Sequence, residues 1–202
     1  MALVKHNNNS ISAVTSMASL STGSMVLISE QTASSSASIS FTSGIDSTYP
    51  IYKFEFINIH PANNNVKLQF NLSTDGGSNY NVAKTTTAIQ SYHYENNVEA
   101  ILGYDSGDDA SQSTGFVSFI GTGIGNSNDE NLSATMFLFN PSSSVFVKHF
   151  LINGNTTVNS LSYNGFTAGY GNTTSSIDAI KFQLASGNID SGTIKLYGIK
   201  DS

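Results

Sequence analysis

VKLQFNL, residues 66–72, alternates apolar and polar side chains without a break. Val66, Leu68, Phe70 and Leu72 point one way, and Lys67, Gln69 and Asn71 the other. A period of two is the mark of a strand with one buried face. Upstream, IYKFEFINI (51–59) repeats the pattern. It sets Tyr52, Phe54 and Phe56 on one face, with Ile51, Ile57 and Ile59 flanking Lys53 and Glu55 on the other. HPANNN (60–65) separates the two runs and reads as a turn, because Pro61 cannot donate to a ladder and Asn tolerates left-handed backbone. The pair is expected to form two antiparallel neighbours.

Further strands are expected at 24–30, 36–43, 85–94, 114–120, 134–139, 145–152, 166–170, 177–184 and 193–199. Asn-Pro-Ser-Ser-Ser (140–144) supplies a turn between two of them. About eleven short strands separated by Gly, Asn and Ser turns predict an all-β, jelly-roll-like antiparallel sandwich. The expected division is an N-terminal arm with the first strands over 1–45, for docking and oligomerisation, and a β-sandwich domain over 46–202. One helix candidate, Ser10–Leu20, carries Ile11, Val14 and Met17 at helical spacing, and an extended docking arm fits the same residues. Two irregular acidic stretches, Asn96–Ser113 and Gly121–Asn131, are expected as loops at the sandwich ends, where binding concentrates. The glycine run GTGIGN (121–126) within the second is expected to be mobile.

Composition narrows the function. All eight basic residues of the 202 are lysine, and the net charge is −6. Arginine is the usual residue for bidentate phosphate and guanine recognition, so no nucleic-acid partner is expected. Anionic membranes are an equally poor match, and no run approaches the length of a membrane span. Without cysteine, the fold has no disulfide and no thiolate metal site. MALVKHNNNS has no apolar segment of the kind a signal peptide needs.

Catalytic signatures are missing: there is no G-x-S-x-G elbow and no P-loop. Glu55, Glu95 and Glu99 are the candidate carboxylates for glycoside chemistry, which needs two such groups facing one bond. The expectation is a protein that is not an enzyme. Asp105, Asp108 and Asp109 in YDSGDDASQS offer several oxygens on one loop, as calcium requires, but not at EF-hand spacing. No other cofactor is expected. Tyr92, Tyr94, Tyr104 and Tyr163 have polar neighbours and are the candidate sugar-stacking residues, with Tyr80 a fifth in a similar setting.

Several stretches resemble a family of β-rich virion proteins of tailed phages, especially phages of marine bacteria and cyanobacteria. They are TYPIYKFEFINIHPA (48–62), FNLSTDGGSNYN (70–81), FLFNPSSSVFVKHF (137–150), SGNIDSGTIKLYGIKD (186–201) and SMVLISEQTASSSASISF (24–41). The resemblance implies a virion protein made in the cytoplasm of an infected bacterium. It would decorate the capsid or form part of a tail appendage, contacting copies of itself, with a trimer favoured, and other virion proteins. A host surface glycan is the alternative partner, in host attachment. A polysaccharide-degrading enzyme is the third reading.

Overall fold

The computed structural model describes residues 24–200; the Ser10–Leu20 segment lies outside them. Thirteen strands occur among these residues: β1 (Met25–Thr32), β2 (Ile39–Phe41), β3 (Ile51–Pro61), β4 (Leu68–Ser73), β5 (Lys84–Tyr94), β6 (Ala100–Tyr104), β7 (Ala110–Ser113), β8 (Val117–Ser118), β9 (Leu132–Phe139), β10 (Lys148–Val158), β11 (Leu161–Gly171), β12 (Ala179–Leu184) and β13 (Ile189–Ile199). All pairings between them are antiparallel. They form a nine-stranded sheet, β1-β13-β3-β9-β10-β11-β5-β6 with β7 also beside β5, and a four-stranded sheet, β2-β12-β4-β8.

The strand order is that of a jelly roll with an extension. β1 lies beside β13 and β2 beside β12; β3 sits between β13 and β9, and β4 between β12 and β8. These eight strands divide equally between the sheets, as in a rolled double Greek key. β5–β7 are inserted between β4 and β8, and β10–β11 between β9 and β12. All five insertion strands lengthen one side of the large sheet.

The expected β3–β4 pairing does not form: the two strands lie in different sheets. Both have an aromatic or aliphatic face, and those faces meet across the sandwich interior. There Phe182 has Phe41, Phe54, Phe56 and Phe119 within 4.9–6.4 Å, ring centre to ring centre. All four contacts are edge-to-face, a preferred arrangement of aromatic quadrupoles.

Backbone irregularities shift several expected faces and ends. Asn58 has φ 52°, and the β3–β9 register slips between Phe56 and Ile59. One extra residue reverses the alternation, so Ile59 turns inward and is fully buried, rather than sharing a face with Lys53 and Glu55. Asn71 is also buried, because Tyr80 and Thr114 lie over it and their carbonyls accept its amide hydrogens.

β10 begins at Lys148, which leaves Val145 and Phe146 in an exposed connection. Asn159 and Ser160 both have positive φ. They make the two-residue turn of a long β10–β11 hairpin, a twist that matches the flanking strands. A similar signal, Asn97 at φ 58°, precedes β6. The stretch Asn96–Ser113, expected as irregular, therefore contains β6 and β7.

Candidate functional site

The β5–β11 register sets Tyr92 opposite Tyr163 and Tyr94 opposite Leu161 on the inward face of the extension. The Tyr92 and Tyr163 rings are near-parallel, 11° apart, with centres 6.3 Å apart. Tyr94 meets Tyr92 edge-on at 5.9 Å. Tyr163 is buried, and its hydroxyl faces Asp105 Oδ2 at 3.5 Å. Burial first, then the charges of Asp105 and Asp108, push the Tyr163 hydroxyl well above the ordinary tyrosine value. It stays a neutral donor.

Tyr104 is separated from these three. It pairs with Ile89 on the outward face, and its hydroxyl donates to Asp109 Oδ2 at 2.5 Å. That bond to a carboxylate is the main cause of its raised pKa. The candidate tyrosines thus divide between the two faces of one sheet. Tyr80 has the Lys181 ammonium 4.3 Å above its ring centre, a cation–π contact.

The three aspartates diverge. Asp105 receives the backbone N–H of Gly107 and faces Tyr163. Asp108 accepts both bonds of Lys67 Nζ, at 2.6 and 2.7 Å. Asp109 accepts from Tyr104. Among the described residues no three His, Cys, Asp or Glu side chains converge as a metal group. Lys67, Asp108 and Asp109 line a cleft of about 480 Å³ together with Phe116 and Ser118.

The candidate glutamates also occupy separate places. Glu55 pairs with Lys53 at 2.6 Å, and Glu99 accepts from Tyr92 at 3.3 Å. Glu95 lines a different cleft of about 350 Å³ with Asp129 and Glu130. Glu130 accepts the backbone N–H groups of Ser127 and Asn159, and these bonds hold its carboxyl below the usual glutamate range.

The glycine run expected to be mobile is packed. Ile120 and Ile124 are buried, and Ile124 bridges to Val66. Gly121, at φ 94°, sits where a side-chain carbon would meet the Tyr163 hydroxyl at 2.6 Å. At Gly165 of β11 such a carbon would come within 2.0 Å of the Ile120 carbonyl oxygen. At Gly165 the inner face of the extension is therefore covered by backbone lying directly on the sheet.

The outward face joins the candidate Tyr104 to residues that the one-dimensional pattern did not single out, Phe166 and Ile89. Phe166, Ile89 and Tyr104 stand side by side in one row across β11, β5 and β6, and all are more than 40 % exposed. Leu151 and Phe137 are paired in the adjoining row. Next to Phe166 lies Asn153, within a shallow groove of about 380 Å³ lined by Glu55, Ser133, Thr135, Asn153, Asn155 and Asn164. Only the cross-strand register joins these residues, and register is not legible from strand alternation alone. Comparison with protein-family models, curated proteins and solved structures finds no match.

Proposed function

We propose that the chain is a non-enzymatic structural protein of a tailed-phage particle, on the capsid surface or in a tail appendage. It assembles with copies of itself, as a trimer, through the outward face of the sheet extension. The observation that carries this reading is the exposed apolar row Phe166–Ile89–Tyr104, backed by Leu151. Apolar side chains clustered on a rigid sheet mark an association surface, and identical copies close such surfaces by symmetry. The jelly roll is at home in viral capsids, but equally in lectins, and fold alone assigns no function. The virion placement rests on the sequence resemblance quoted above.

A lectin-like reading has its own support. The groove beside Phe166 presents three asparagine side chains, two hydroxyls and one carboxylate next to an exposed ring. Neutral sugar hydroxyls and a sugar face would engage such a surface, making the protein a host-attachment module.

Antibody labelling or density on intact particles tests the first reading: the chain is expected at regular, symmetry-related positions, and its absence from particles would remove the proposal. A glycan array with the purified protein tests the second. Binding abolished by Asn153→Ala would support it, and no signal on any glycan would remove it.

A further inference from the structure

Two lysines point into the protein from the extension, on either side of Gly171 in one row: Lys148 on β10 and Lys84 on β5. Both are fully buried, and neither is among the ion pairs of the described residues. Buried ammonium groups ordinarily require an opposite charge. Lys148 Nζ is satisfied by the backbone carbonyls of Phe146 and Thr173. Lys84 Nζ also reaches a backbone carbonyl, that of Val82 at 2.8 Å. Its second contact is different: the side-chain amide of Asn71, with Nζ 2.5 Å from Oδ1.

That separation is shorter than an ordinary N–H···O hydrogen bond. The Asn71 amide is also fixed in place. Nδ2 donates to Tyr80 O at 2.6 Å and Thr114 O at 3.0 Å, and Oδ1 accepts the backbone N–H of Leu72 at 2.9 Å. Both partners are sealed from bulk water.

We propose that Lys84 and Asn71 react with each other to form an intramolecular amide, joining β5 of the large sheet covalently to β4 of the small one. The neutral Lys84 amine attacks Asn71 Cγ, and a new C–N bond forms while the carbonyl electron pair moves onto Oδ1. The Leu72 N–H faces the charge that develops there, as an oxyanion donor does. One proton passes from Nζ to Nδ2, the Cγ–Nδ2 bond breaks, and ammonia leaves. No oxidant or cofactor enters the balance.

Burial supports the nucleophile by lowering the Lys84 pKa to about 8, which leaves roughly one amine in ten neutral at pH 7. Confinement at contact distance supplies the effective concentration that amide exchange lacks in solution. Asp and Glu do not contribute to the Lys84 shift, which comes from desolvation. The attacking amine must be neutral, so the reaction speeds up as pH rises through 8. In a chain without cysteine, the bond would take the stapling role of a disulfide.

Intact-mass measurement of the full chain tests this. After incubation at pH 9 the wild type is expected to be lighter than its sequence by one ammonia, about 17 Da. Digestion should yield one branched peptide joining the segments that hold Asn71 and Lys84. Lys84→Arg keeps the positive charge but removes the amine, and should keep its full mass. Lys148→Arg should show the same deficit as the wild type. A wild-type chain at full mass, giving only linear peptides after that incubation, would overturn the proposal, and this readout depends on no variant folding.

Discussion

The eight-stranded roll and the five-stranded extension belong to one sheet system but are filled in different ways. In the roll, the inward residues of β3, β4 and β12 are large: Tyr52, Phe54, Phe56, Phe70 and Phe182, all buried to within 2 %. Rings meet rings across the space between the sheets. In the extension, β11 and β5 turn Gly165, Thr167, Thr86 and Ala88 inward. At Gly165 the cover is backbone, that of Ile120, rather than a ring. A core of rings tolerates adjustment by rotamer change, whereas close backbone contact leaves no room for one added carbon. The roll is thus sensitive to volume removed, and the extension at Gly165 to volume added.

Changes in the two regions sharpen that contrast. The largest effect is expected for Phe182→Ala, which removes the ring shared by four neighbours. Stability should fall by about 3–5 kcal/mol, as for other buried aromatic truncations, with the loss read from chemical denaturation. Gly165→Ala adds a single carbon against the Ile120 carbonyl and should cost about 1–3 kcal/mol. Limited proteolysis should then cut near residues 119–125 in the variant before the wild type. If Gly165→Ala were neutral, the segment would not be seated on β11 as described.

Asp108→Asn breaks the ion pair with Lys67. Because the Lys67 side chain is 41 % exposed, the loss should be about 1 kcal/mol or less, and smaller still in high salt.

The smallest effect is pH-dependent. Glu130 has a folded-state pKa below its ordinary value, owing first to its bond from the Ser127 backbone N–H. As pH falls, the unfolded chain takes up this proton before the folded one. The contribution is therefore complete above the ordinary glutamate range and is lost as pH drops through the folded value. Glu130→Gln should flatten the acid limb of a stability–pH curve slightly. An unchanged limb would show that this carboxylate adds nothing.

The fold was legible wherever one face of a strand meets a ring-filled core. VKLQFNL and IYKFEFINI declare their buried faces, and the spacing of such runs between turn residues points to a sandwich. The pairing was less legible: β3 and β4 are joined by a turn sequence yet belong to opposite sheets. A turn marks where the chain reverses without fixing which sheet it enters. Asn58, one residue at positive φ, moved Ile59 across the sheet; Asn tolerates that conformation, but a single Asn within an alternating run does not fix a bulge there.

The candidate site was legible residue by residue but not as an arrangement. Tyr92 and Tyr163 lie far apart in sequence and side by side in the sheet. Asp105, Asp108 and Asp109 lie together in sequence but turn to Tyr163, Lys67 and Tyr104. The row Phe166–Ile89–Tyr104 exists only through register.

Assembly through that row is tested by light scattering combined with sedimentation of the purified protein. The wild type is expected at three times the mass of the 21.4 kDa chain, and Phe166→Asp at the mass of one folded chain. A wild type that remains a single chain at high concentration, or a Phe166→Asp variant that assembles as the wild type does, would contradict it.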